Sequence, residues 1–210
     1  MSVNIQLSAQ SDSCYNATAF CDSVNQYSAT VNGPTAPAGN NYDCLFTQPN
    51  PTFFTLTVSQ SGTIDITLLN TNNVDIDFIL WGPYPSLLAA QSNCGNLGNG
   101  NINNGNVVDT CSYDSAPIEF VQVSNAVAGS VYILMITNFS NMPTNIFSTS
   151  NSGTGSIACP CDINYELDTL PFPLNQGFLT DTATGAGQYV VCPGNQLGIQ
   201  INAVGTSSDT

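Results

Sequence analysis

Phe53-Phe54-Thr55-Leu56-Thr57-Val58-Ser59-Gln60-Ser61-Gly62-Thr63-Ile64-Asp65-Ile66-Thr67-Leu68 reads as two β-strands around a turn. The first half is aromatic and β-branched. The second alternates strictly, which puts Ile64, Ile66 and Leu68 on one face and Thr63, Asp65 and Thr67 on the other. Ser59 to Gly62 carries turn residues, so the two strands are expected to form a hairpin. One buried face and one polar face is the pattern of a sheet that covers a core on one side only.

The same texture extends outward. Asp75-Ile76-Asp77-Phe78-Ile79-Leu80-Trp81 alternates and then runs apolar, and is expected to stop at Gly82-Pro83. Glu119 to Val123 alternates. Val131 to Asn138 is a nearly continuous apolar run, as in a central strand covered on both faces. Asn145 to Ser148 is a candidate edge strand. Helical signal is confined to a short piece at Pro85 to Gln91, and Asn93 to Asn106 reads as a long polar surface loop. Short strands at this spacing predict an all-β fold, a β-sandwich or jelly-roll-like domain over 1–157. Near residue 158 the texture changes. Gly153-Thr154-Gly155-Ser156 resembles a joint, and Gln188 to Ile201 reads as the first hairpin of an immunoglobulin-like module. Residues 158–210 are therefore expected to be a linker and the incomplete start of a second β module, in a piece of a longer array.

Composition narrows the function. The chain has 210 residues, 14 acids, no Lys, no Arg and no His, for a formal charge of −14. Nucleic acid and anionic lipid would meet no basic footprint. No side-chain salt bridge and no lysine-based isopeptide link can form, and trypsin-like proteases have nothing to cut. At 42% hydrophobic the chain can still build a core. Eight Cys without His or a Cys-x-x-Cys pair point to disulfides in an oxidising compartment rather than to a metal cluster. There is no apolar run of membrane-spanning length and no signal-like N-terminus, so direct membrane insertion is not expected. Because the cysteines argue for export, a targeting segment is expected to have been removed or to lie outside this chain.

Residues 14–157 resemble a domain repeated in large secreted surface proteins of Bacteroidetes, including gliding-motility adhesins and proteins exported by type IX secretion. The resemblance is carried by Tyr42-Asp43-Cys44-Leu45, Pro49-Asn50-Pro51 before Phe53-Phe54, Asp75 to Tyr84, Cys111-Ser112-Tyr113, and Tyr132 to Ser140. It implies an extracellular β-sandwich at a bacterial cell surface, similar to domains found at the C-terminal end of secreted proteases. Those proteins normally carry Lys and Arg, which this chain lacks.

Several constellations could carry chemistry. Asp75 and Asp77 lie two apart on a strand and share a face. With Asn73 beside them they are candidate Ca²⁺ ligands, since Ca²⁺ gathers about six to eight oxygens; Asn72, Asp109 and Asp114 could add to them. The related protease-associated domains are similar in carrying such a pair and sometimes Ca²⁺. A solvated polar face is the alternative. Trp81 and Tyr84 would suit a sugar ring if exposed, and would otherwise be core residues beneath a Gly-Pro turn. Cys94 and Cys111 bracket the polar loop and are expected to pair, with Cys21–Cys44 as a second bridge; the full connectivity is not deducible. Ser23, Ser115, Thr169 and Thr182 each follow Asp and precede an apolar residue, a pattern Bacteroidetes use for O-glycosylation. Asn16 and Asn138 head N-glycosylation sequons, although Asn138 ends a strand expected to be buried. Catalysis has no His or Lys base. A carboxylate pair such as Glu119 and Glu166 could hydrolyse glycosides, but Glu119 reads as a solvated strand end.

The expectation is a non-enzymatic, disulfide-stapled structural or adhesive module of a large multi-domain surface protein or fibre. Its partners would be neighbouring domains, copies of the same long chain, or surface glycans. A Ca²⁺-assisted carbohydrate-binding module and a self-assembling filament subunit are the alternatives.

Overall fold

A computed structural model describes residues 11–21, 26–101, 105–149 and 152–158, all within one compact unit, Met1–Cys159. The expected second module lies outside the described residues. Ten strands follow in order: β1 Thr18–Ala19, β2 Tyr27–Ser28, β3 Pro51–Gln60, β4 Gly62–Asn70, β5 Ile76–Tyr84, β6 Val108–Ser112, β7 Glu119–Ala126, β8 Val131–Asn138, β9 Asn145–Thr149 and β10 Ser156–Ala158. A short helix, α1 Leu87–Ser92, follows β5, where the sequence places its helical signal. Its N-cap Ser86 accepts the Ala89 N–H.

The strands form two sheets. Sheet A runs β1-β3-β8-β5-β6, with β10 also paired to β3, and sheet B runs β2-β9-β4-β7. The fold is the expected all-β sandwich. Among these strands only β5 and β6 follow one another within a sheet; every other connection passes from one sheet to the other. The hairpin expected across Ser59–Gly62 does not form. β3 pairs with β8 in one sheet and β4 with β7 and β9 in the other, so the turn is a corner between sheets. Gly62 makes the corner possible. Its φ is +147°, and a Cβ there would lie 2.5 Å from the Gly155 nitrogen.

The inner faces meet as the alternation predicts. Ile64, Ile66 and Leu68 of β4 and Val121 and Val123 of β7 face Phe54, Leu56, Phe78, Leu80, Leu134 and Ile136 of sheet A. Two expectations about strand ends change. β5 continues through Gly82-Pro83 to Tyr84, and its pairing with β8 shifts register between Trp81 and Tyr84. That irregularity accommodates a proline with no N–H to give. Asn145–Thr149 is not an edge, because the two-residue β2 pairs outside it.

Sheet A is buried on its other face as well. Phe53, Ile79, Trp81, Ile133 and Met135 form a second core beneath an irregular cover that brings Cys14, Ala36, Leu45, Ala90, Cys94 and Leu97. This explains why all of β8 is buried. The cover comes from the N-terminal segment, the stretch before β3, and the long β5–β6 connection.

Candidate binding surface

Two disulfides hold the cover down. Cys14 pairs with Cys94 and Cys44 with Cys111, at Cα–Cα distances of 5.5 and 6.2 Å. The expected Cys94–Cys111 and Cys21–Cys44 bridges are therefore replaced. Cys94 and Cys111 bracket the loop in sequence, but the loop is folded onto the sheet and stapled to other segments instead of being closed on itself. Cys21 is buried. The loop read as a polar surface segment is in part an inner layer, with Leu97 and Asn106 buried.

Trp81 and Tyr84 belong to this second core and are fully buried, so neither presents a face to a sugar. The Trp81 indole N–H donates to the Asn41 carbonyl at 2.8 Å, and Tyr42 meets the ring edge to face. The Tyr84 hydroxyl donates to Asn106 Oδ1 at 2.7 Å. Both rings have their polar ends satisfied inside the protein, which is what makes their burial tolerable.

The acids cluster where β5 begins. Asp77 is 2% exposed and Glu119 3%, so neither is on a solvated face as their positions in alternating runs suggested. Thr137 Oγ1 donates to Asp77 Oδ2 at 3.4 Å, and the Asp114 backbone N–H also donates to that carboxylate. Burial first, and then the charge of Asp75, push the Asp77 pKa up to about 7. Burial likewise raises Glu119 to about 7; a Ser112 hydrogen bond opposes this, and Asp77, Asp114 and Asp75 reinforce it. Asp75 is raised by burial and by Asp114. Asp75 Oδ1 and Glu119 Oε1 are buried without a hydrogen-bond partner.

Among the described residues no three acidic, histidine or cysteine side chains converge closely enough to hold a metal ion. Asn73 lies exposed in the turn before β5. Asp77 is on the outer face of sheet A with Ile79, whereas Glu119 shares the inner face of β7 with Val121 and Val123.

Beside the acids runs a row of three aromatic rings, exposed at its two ends and half-buried at Tyr113 in the middle. Phe46 and Tyr113 lie edge to face with centroids 5.6 Å apart, and Tyr113 and Phe139 likewise at 6.0 Å. Phe46 is 85% exposed and Phe139 44%. Tyr113 follows Ser112, which pairs with Phe78, so it comes abreast of Asp77 at the edge of sheet A. Phe139 follows the last residue of β8, and the next residue, Ser140, accepts the Asp75 N–H and donates its own N–H to the Asp75 carbonyl. The sequence held one signal of this row, because Tyr113 and Phe139 each stand just past a strand end; what brings Phe46 to them is tertiary. Of the glycosylation candidates, Ser115 is exposed; Ser23, Thr169 and Thr182 fall outside the described residues. Asn138 is buried, as its strand position predicts.

No helix among the described residues is long and apolar enough to cross a membrane. Compared with protein-family models and with curated proteins, the chain matches none.

Proposed function

We propose that the chain is a non-enzymatic extracellular module, structural or adhesive, of a large multi-domain bacterial surface protein. The observation that carries this is the stapled cover: two disulfides hold an otherwise irregular layer over sheet A. Such staples persist in oxidising compartments and give durability outside the cell. The absence of Lys and Arg removes every site for trypsin-like cleavage, which suits the same setting. The resemblance to repeated surface domains of Bacteroidetes agrees with it.

The test is access. An antibody raised against the oxidised chain should label intact, unpermeabilised cells that produce it. Labelling that appears only after permeabilisation would overturn the extracellular reading.

A further inference from the structure

We propose that the Phe46–Tyr113–Phe139 row and the carboxylates around it form a docking surface for an arginine- or lysine-bearing segment of another protein. The inference rests on the reading of the chain as an adhesive module, and names the chemistry of what it would hold.

The row is contiguous, exposed at Phe46 and Phe139, and held in place through the half-buried Tyr113. Its rings come from three separate segments, yet each touches the next. The Cys44–Cys111 bridge lies two residues from Phe46 on one side and two from Tyr113 on the other. Thr47 Oγ1 and the Tyr113 hydroxyl share a hydrogen bond of 3.0 Å across the same junction. Leu45, next to Phe46, is anchored in the second core. Preorganisation of this kind lowers the entropy lost when a partner binds.

Charge selects the partner. Exposed Asp43 sits beside Cys111, with its Oδ2 4.0 Å from the sulfur. Exposed Asp114 follows Tyr113, and Asp75 is tied to the residue after Phe139. A purely apolar partner would strip water from the exposed Asp43 and Asp114 carboxylates and leave them unpaired, which is costly. A guanidinium or ammonium group meets both needs, stacking over ring faces while it pairs with the acids. These 210 residues hold no Lys, Arg or His, so a second copy of them offers no such side chain. The occupant assigned here is a cationic segment of a different protein.

The test titrates the oxidised full chain with a blocked arginine–serine repeat peptide, and with the same peptide carrying uncharged citrulline for arginine. The arginine peptide should bind and should shift the ring resonances of Phe46, Tyr113 and Phe139. Phe46→Ala should weaken binding ~2- to 5-fold, and Phe46→Ala with Phe139→Ala about tenfold. Asp43→Asn and Asp114→Asn should lower the salt dependence. Absence of binding, equal binding of the citrulline peptide, or resonance shifts away from the row would each overturn the proposal. So would full affinity in the ring variants, or ring-dependent binding of glycans in place of the peptide. The resonance map is read on the unmodified chain, so a variant that fails to fold does not shield the idea. Labelled intact cells without peptide binding would remove this docking surface and keep the extracellular module; peptide binding without labelling would do the reverse.

Discussion

Asp77→Asn is the most informative single change. The Asp77 carboxyl is buried and its pKa moves from 3.8 to about 7. In the unfolded chain it ionises near its ordinary value, so between about pH 4 and pH 7 the folded state holds a proton that the unfolded state has released. Stability from this group is fully present below the lower value, falls as pH rises through the window, and levels off above about 7. A difference of roughly 3 pH units at about 1.36 kcal/mol each sets an upper limit near 4 kcal/mol. Glu119 moves in the same direction, and ionising either acid disfavours the other. The oxidised protein should therefore lose several kcal/mol between pH 5 and pH 8, the opposite of ordinary acid denaturation. The asparagine side chain cannot ionise, yet its amide oxygen can still accept the Asp114 N–H. Asp77→Asn should flatten the pH dependence and stabilise the protein at pH 8 by about 1–3 kcal/mol. Asp12→Asn, at an exposed acid elsewhere, removes the same charge and controls for net repulsion. The assay is urea unfolding followed by Trp81 emission at fixed ionic strength. A midpoint that stays level or rises from pH 5 to 8, or an Asp77→Asn slope equal to the wild-type slope, would refute the reasoning.

Three further outcomes are expected. Replacing Cys14 and Cys94 with Ala opens a bridge spanning 80 residues and should cost about 4 kcal/mol, read as a lower urea midpoint; an unchanged midpoint would show that the cover needs no staple. Trp81 is the chain's one tryptophan, so emission from the oxidised protein should be blue-shifted and indifferent to iodide and to sugars, and should move red on reduction. A sugar-dependent change in emission would contradict its burial. At matched ionic strength, Ca²⁺ should raise the thermal midpoint no more than Mg²⁺ does, because among the described residues no three acidic side chains are placed to hold a metal ion together. A Ca²⁺-specific rise that Asp75→Asn abolishes would establish a site there.

The sequence alone determined the fold class, most of the strands and which apolar residues of β4 and β7 face inward. Alternation at Thr63–Leu68 is a local record of burial on one side, and the apolar run at Val131–Asn138 records burial on both. The cysteine count and the missing cations needed no structure to bear on compartment and partners. What the chain does at long range was not legible. The turn at Ser59–Gly62 fits a hairpin as well as a corner, and only the pairing of β3 with β8 and of β4 with β7 decides between them. The bridges followed the same logic, since the β5–β6 connection laid on sheet A meets Cys14 through Cys94, and the stretch before β3 meets Cys111 of β6 through Cys44. Trp81 and Tyr84 are buried because a covering layer lies over that face, and Phe46, Tyr113 and Phe139 come together from three separate segments. The apolar run of β8 records that the outer face of sheet A is covered, but which distant segments cross it, and where, has no record in strand periodicity.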